Sequence, residues 1–313
     1  MTPAPDQKAR FLARLDITSI LANPILDIAA RFWDDDRYDA FKTCYKSMRW
    51  LDDLVDNHKS SPKRNSPEIT AAIDKQINDW TAALISNNPI DNDQKRLLET
   101  IHLFAIPVWP WERLAKSMLY DLHHDGFPSL LGFLRYCEGA AISPASVFMH
   151  LCGVTKSGEK YIPPAFDIRA AARPLALFAY FVHIIRDFQK DIKDGLCYFP
   201  DSLLKHHSLK MSDLKQIAHG GPVAHAFRNL VGVYESIAGY FHGRVEKMSR
   251  KIYPHLSPEY QFSLEVIFQL YSQIFERIDH KSGSLTAAEL VPTPEEITHR
   301  IRRTAHEFAL AMQ

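Results

Sequence analysis

Glycine is scarce in this chain, with 12 in 313 residues. A β-sandwich or barrel spends glycine at its many turns, so this scarcity argues against one. Cysteine is scarcer still: Cys44, Cys137, Cys152 and Cys197 stand far apart. That spacing excludes a zinc-finger pattern and a disulfide framework, and a reducing, cytoplasmic setting is expected. Excess charge is missing too, since Lys plus Arg and Asp plus Glu both number 37. No basic footprint for nucleic acid exists. Long apolar runs are lacking: ALFAYFVHII and FSLEVIFQLYSQIF are too short or too interrupted to span a bilayer. The N-terminal MTPAPDQKARFLARLD has no signal-peptide core. The expectation is a protein without a transmembrane segment that can still touch a membrane peripherally. Repeats, low-complexity tracts and a dinucleotide-binding glycine fingerprint are also missing.

What is present is helical periodicity. Apolar spacing of three and four recurs over 36–56, 68–85, 94–105, 111–122, 129–152, 165–193, 223–250, 258–279 and 295–311. Ser66-Pro67-Glu68, Ser257-Pro258-Glu259 and Thr293-Pro294-Glu295-Glu296 each set a cap residue before a first-turn proline. The last adds a glutamate three residues on, as in a capping box. The linkers 57–67, 155–164, 208–213 and 282–292 are short and polar, and none marks a domain boundary. We read one all-α domain over 1–313, with residues 1–15 loosely ordered.

Two acidic clusters carry the chemistry. Asp52, Asp53 and Asp56 follow Arg49; Asp187, Asp191 and Asp194 follow Arg186. Residues four apart share a helix face, so Asp52 pairs with Asp56 and Asp187 with Asp191. Like charges there repel, and the first pair also meets the negative end of its helix dipole. A divalent cation would reverse both penalties. Either cluster alone reads better as a solvated acidic face, since among 37 acidic residues one such pair is expected by chance. Both together, in apolar flanks beside arginines, point to a metal site that holds a phosphate-bearing substrate.

These residues resemble the squalene/phytoene synthases, the head-to-head (1′–1) prenyl synthases. That family's first motif, approximately Y-x-F-C-R-x-x-D-D-x-x-D, is similar to Tyr45 through Arg49, Asp52, Asp53 and Asp56. Its second, approximately N-I-L-R-D-x-x-x-D followed by Y-[LF]-P, is similar to His183-Ile-Ile-Arg186-Asp187-Phe-Gln-Lys-Asp191 and then Tyr198-Phe199-Pro200. Met118-Leu-Tyr-Asp121 resembles M-x-x-D, and Arg135-Tyr136-Cys137 resembles the start of Y-C-x-x-V-A-G. The likeness runs over roughly 20–280. It implies an all-α isoprenoid synthase fold, with helices around a central apolar cavity. It also implies Mg²⁺ held by Asp52, Asp56, Asp187 and Asp191, which with Tyr45 form the catalytic set. Arg49, Arg186, His183 and Tyr198 are then expected to bind diphosphate. The implied reaction joins two prenyl diphosphates, farnesyl diphosphate favoured, through presqualene diphosphate to a squalene-, dehydrosqualene- or phytoene-type product. NADPH enters if that product is reduced. Helices 165–185 and 262–278 are expected to line the substrate tunnel.

The chain departs from the family pattern in several places. Tyr180 and His183 stand where the family has glutamine and asparagine. Imidazole suits Mg²⁺ poorly. His183 therefore reads as a donor to diphosphate or to Asp187, or equally as a buried histidine bonded to a backbone carbonyl. Ala140-Ala-Ile-Ser143-Pro144-Ala replaces V-A-G-T-V-G and is expected to reshape the pocket wall. Asn23-Pro24-Ile25 replaces a Ser-Phe stretch. Rival readings are a terpene cyclase-like diphosphate lyase, a non-enzymatic family factor, and an HD-type phosphohydrolase built on His102, His123, His124, Asp125 and Asp187. The histidine doublets 123–124 and 206–207 read as surface, and Trp109-Pro110-Trp111 as a packing corner. Tyr234, Tyr240 and Phe241 read as tunnel or plain core. The loop 57–67 is expected to order over the site when substrate binds.

Overall fold

The computed structural model describes residues 24–62 and 64–311. The expected loose order of 1–15 and the divergent Asn23 lie outside the described residues, as does Lys63 in the 57–67 loop. The elements that matter most here are α1 (Ile25–Ala30), α2 (Asp35–Lys59), α3 (Pro67–Ile85), α4 (Asn92–Leu103), α5 (Trp109–His123), α6 (Leu130–Cys137) and α7 (Ser143–Gly153). A hairpin of β1 (Thr155–Ser157) and β2 (Lys160–Ile162) precedes α8 (Ile168–Lys193). Then follow α9 (Asp201–His206), α10 (Met211–Ala218), α11 (His225–Ile252), α12 (Pro258–Phe275), α13 (Ala287–Leu290) and α14 (Pro294–Ala311). The fold is all-α, as expected.

The central helix is α8. It packs most extensively on α11 and also against α7 and α12. Its inner stripe buries Leu177, Phe178, Phe181, Val182, Ile184 and Ile185. Each such side chain removed from water stabilises the fold by roughly 1.5–3 kcal/mol before entropy is charged. By length and composition α8 could cross a membrane, but more than half of its apolar window is buried against other helices. A core helix meets that description for packing reasons alone.

The caps follow the sequence at two of three places. Ser66 Oγ accepts from the Ile69 N–H ahead of Pro67. Thr293 and Glu296 exchange the two bonds of a capping box, at 3.3 and 2.7 Å. Ser257 occupies the cap position of α12, but its side chain makes no capping bond. The stretch read as one helix over 129–152 is divided by a π-helical turn at Glu138–Ile142. Pro144 lacks an N–H, and its ring would strike the carbonyl four residues back in an unbroken helix. The wider turn avoids that clash. It also seats Gly139 against α5, where a Cβ would lie 2.2 Å from the Arg113 carbonyl oxygen. The linker read as polar coil over 155–164 carries the β-hairpin, and α12 ends at Phe275 rather than 279.

Trp111 is the corner expected of Trp109-Pro110-Trp111: fully buried, it donates through Nε1 to Ser47 Oγ at 2.9 Å. Arg37 pins the first long helix to the rest. Its guanidinium donates to the Leu151 and Val154 carbonyls at 3.1 and 2.8 Å and lies 4.1 Å over the Tyr260 ring. Orphan carbonyls at the end of α7 are thereby satisfied from α2. All four cysteines are free and buried.

Candidate active site

The first aspartate motif occupies the last three turns of α2. Arg49 Nη1 donates to Asp52 Oδ2 at 2.6 Å, and Nη2 pairs with Asp53. Burial, then the charge of Asp56, raises the Asp52 pKa to about 6. Asp56 is also raised, by burial first, with Arg49, Lys190 and Lys59 partly offsetting it. No hydrogen bond or ion pair reaches the Asp56 carboxylate among the described residues.

The second motif lies near the end of α8. Arg186 forks onto its neighbour Asp187, Nε to Oδ1 at 2.6 Å and Nη2 to Oδ2 at 2.8 Å. Burial pushes Asp187 up, but the Arg186 bonds and the nearby positive charge outweigh it and hold the carboxyl below its ordinary value. Arg186 Nη2 also donates to His183 Nδ1 at 2.7 Å. Its Nε2 lies 3.3 Å from Asp187 Oδ2, and among the described residues His183 makes no bond to a backbone carbonyl. Burial, then the Arg186 charge, drives its pKa down to about 4. Its ring opens onto a cleft while protein surrounds the rest, so it is neutral at physiological pH. Asp191 differs: it is 8% exposed, its Oδ2 has no partner among the described residues, and burial followed by the Asp187 charge raises it to about 7. Asp194 leaves the stripe for the surface, where it pairs with Lys190 at 3.2 Å.

The two motifs face one site. Asp56 is among the charges that raise Asp191, and Lys190 of the second motif lowers Asp56. Asp121 on α5 completes the wall. It accepts from the Tyr136 hydroxyl, lies within the field of Asp56 and Asp52, and is raised to about 7, chiefly by burial. The Tyr198 hydroxyl sits in the field of Asp121, Asp191, Asp56 and Asp52 together. The structure thus joins Tyr198 to the carboxylates rather than to the arginines. Sequence reasoning flagged Met118-x-x-Asp121 but left Asp121 out of the site. Tyr271 on α12 was missed entirely; burial raises it, and Arg186, Asp187 and Tyr45 surround it. Its segment, FQLYSQIF, reads only as apolar helix.

A cleft of about 280 Å³ runs inward from Arg49, Asp52 and His183. Its walls are mostly apolar and include six alanines: Ala140, Ala141 and Ala145 around the π-turn, and Ala172, Ala176 and Ala179 on α8. Small side chains at these facing positions leave the space open. Leu264, Ile267 and Tyr271 of α12 close the far side, so both segments expected to line a tunnel do so. A second cleft of about 390 Å³ shares Leu26, Tyr45, His183 and Tyr271 with the first. Tyr45 lines both, with its ring stacked on Phe41.

The remaining aromatic and histidine candidates resolve elsewhere. Tyr234 is core, its hydroxyl donating to the Tyr198 carbonyl; Tyr240 is 58% exposed. His123 pairs with Asp74 at 2.7 Å, and exposed His124 stacks on Tyr120. No three His, Cys, Asp or Glu side chains are gathered into a ready-made metal cage among the described residues. The HD-type arrangement is not assembled, since His123 turns to Asp74 and His124 to Tyr120 at the surface.

The orphaned, buried Asp191 Oδ2 tests whether this site fits a divalent cation. A carboxylate this raised, without a donor and within the field of Asp187 and Asp56, lacks positive charge. All-oxygen donors that converge without forming a closed cage suit Mg²⁺, which keeps water and takes substrate phosphate oxygens. The residues fit.

A family profile described as squalene/phytoene synthase matches residues 27–296. No curated protein matches the chain in sequence. Among solved structures, a dehydrosqualene synthase in complex with a ligand superposes with a TM-score of 0.66 at 14% identity, covering 97% of this chain and 99% of that one. TcSQS, also solved with a ligand, gives 0.65 at 13% identity, covering 98% and 91%. Squalene synthase HpnC from Alicyclobacillus acidocaldarius gives 0.58 at 12% identity, covering 96% and 94%. At these identities the structural likeness establishes the fold.

Proposed function

The chain belongs to the squalene/phytoene synthase family, and on that premise we propose that it carries out Mg²⁺-dependent head-to-head condensation of two prenyl diphosphates, farnesyl diphosphate being the favoured substrate. One observation carries the reading. An apolar, alanine-walled cleft has a polar end lined from both aspartate motifs, by Arg49 and Asp52 from one and His183 from the other.

Arg49 and Arg186 bind the diphosphates, since a guanidinium fork matches phosphate oxygens as it matches a carboxylate. Asp52, Asp56, Asp187 and Asp191 hold the cations, and Asp121 adds to the same field. When bound, Mg²⁺ neutralises charge on the departing diphosphate. Tyr45 and Tyr271 flank the junction of the two clefts, where their ring faces stabilise an allylic cation without capturing it. The alanine wall and α12 keep water from that cation. Attack by the second substrate's double bond, with loss of a proton, gives a cyclopropyl diphosphate, presqualene diphosphate in the farnesyl case. Its ionisation and rearrangement give the linear product. Hydride from NADPH quenches the rearranged cation if the product is reduced; loss of a proton does so otherwise.

The test is incubation with farnesyl or geranylgeranyl diphosphate and Mg²⁺, followed by mass analysis. The expected product is a hydrocarbon with twice the carbon count of the substrate. If neither substrate is consumed and no diphosphate binds, the reading is wrong.

A further inference from the structure

His183, Arg186 and Asp187 close on one another within about one turn of α8. Arg186 Nη2 donates to His183 Nδ1 at 2.7 Å, and the same guanidinium forks onto both oxygens of Asp187. Arginine has donors only, so Nδ1 must accept and the ring proton sits on Nε2. Nε2 lies 3.3 Å from Asp187 Oδ2. Asp187 therefore meets a donor at each oxygen, while Asp191 one turn later has a buried oxygen with no partner. The first motif repeats the contrast: Arg49 holds Asp52, and Asp56 is bare.

From this juxtaposition we infer that His183 is a positioning residue that latches Arg186 over Asp187 in the free protein, so that a diphosphate must draw Arg186 away before Asp187 accepts a divalent cation. The inference rests on the diphosphate chemistry proposed above. A carboxylate oxygen saturated by a guanidinium fork does not also ligate a cation without losing those bonds. A diphosphate offers the same fork geometry and more charge, so it competes for Arg186 where a lone cation cannot. The exchange goes no further than the difference in affinity between the two arrangements allows. A cation arriving alone finds Asp56 and Asp191 unlatched but not Asp187. Metal and diphosphate thus bind as a coupled pair, which keeps the empty site from filling with metal. An acceptor at position 183 is the feature that makes this latch, because it fixes the third contact of the guanidinium.

The experiment is Mn²⁺ binding to the full chain by calorimetry or electron paramagnetic resonance, without any diphosphate and then with inorganic pyrophosphate. Arg186→Gln is expected to bind Mn²⁺ alone about fivefold or more tightly than the wild type, in the ordinary range of site-to-site coupling. It is also expected to lose most of the tightening that pyrophosphate brings. Arg186→Met gives the same answer through an independent substitution, and circular dichroism checks that each variant is folded. His183→Leu shifts in the same direction by a smaller factor, while His183→Asn, which retains an acceptor oxygen, stays at the wild-type value. Unchanged or weaker Mn²⁺ binding in the folded Arg186 variants overturns the latch. Tightening in those variants with none in His183→Leu removes His183 from it. Wild-type turnover of farnesyl diphosphate is scored separately: its absence with the latch intact sinks the activity alone, and its presence without the latch sinks the latch alone.

Discussion

Asp187 and Asp191 lie one helical turn apart on α8, yet they are in opposite electrostatic states. Arg186 holds the first ionised, below the ordinary carboxylate range, whereas burial leaves the second short of positive charge, with a pKa of about 7. Neighbouring positions of one motif therefore respond to the same substitution with opposite sign.

Asp191→Asn is expected to stabilise the metal-free protein by on the order of 2 kcal/mol near pH 8, because a neutral amide avoids the cost of a buried, unpartnered charge. Turnover should fall by about a hundredfold or more, as when an electrostatic stabiliser is removed. Paired thermal melts and rate assays check this; a lower Tm in the variant would contradict it.

Asp187→Asn should instead destabilise by about 1–2 kcal/mol. It strips the partly buried Arg186 of its partner, and the pair's partial exposure keeps the cost below that of a fully buried ion pair. Activity should also be lost. Wild-type turnover in this variant would remove Asp187 from the metal set.

The pH dependence separates the same two residues. Asp191 has a raised folded pKa, so the folded state holds its proton longer than the unfolded chain does. Its destabilising effect is fully present above about pH 7 and gone below about pH 4. The Tm gap between Asp191→Asn and wild type should therefore widen as pH rises through that window. His183, lowered to about 4, works the other way and is common to both proteins, so it cancels in the comparison. A gap independent of pH would show that Asp191 is not titrating as described.

Protons and cations compete for the same carboxylates. Asp52, Asp121 and Asp191, at about 6, about 7 and about 7, are largely protonated at roughly pH 5. Mg²⁺ added with pyrophosphate should raise Tm above pyrophosphate alone clearly at about pH 8 and hardly at all at about pH 5, with a chelator reversing the gain. Equal shifts at both pH values would place the cation elsewhere.

Ala176→Phe fills the alanine-walled cleft with a ring. Farnesyl diphosphate turnover should collapse, while pyrophosphate binding at the polar end stays within a few-fold of wild type. Joint loss of both would mean that the substitution disturbs the motifs and not just the channel. Gly139→Ala tests the π-turn: its Cβ meets the Arg113 carbonyl and Ser117 Oγ, so a loss of about 3 kcal/mol is expected from chemical denaturation.

How far the sequence reached depended on how local each interaction was. Helical periodicity, the Ser66 cap and the Thr293–Glu296 capping box are set by residues a few positions apart, and they were readable without coordinates. So were the two aspartate pairs, because spacing of four dictates a shared helix face whatever surrounds it. The π-turn at 138–142 was missed because its cause, Pro144 within an apolar helix, looks locally like any first-turn proline.

Sequence alone thus determined the helical class, the positions of both acidic motifs and the arginine that accompanies each. Only the tertiary structure decided which aspartates are neutralised and which stand bare, that Asp121 and Tyr271 join them, and that six alanines from two distant segments leave a channel open between α8 and α12. The division has a physical cause. Helix face and cap are settled by neighbours along the chain, whereas burial, field and empty volume are set by groups that meet only when the chain has packed.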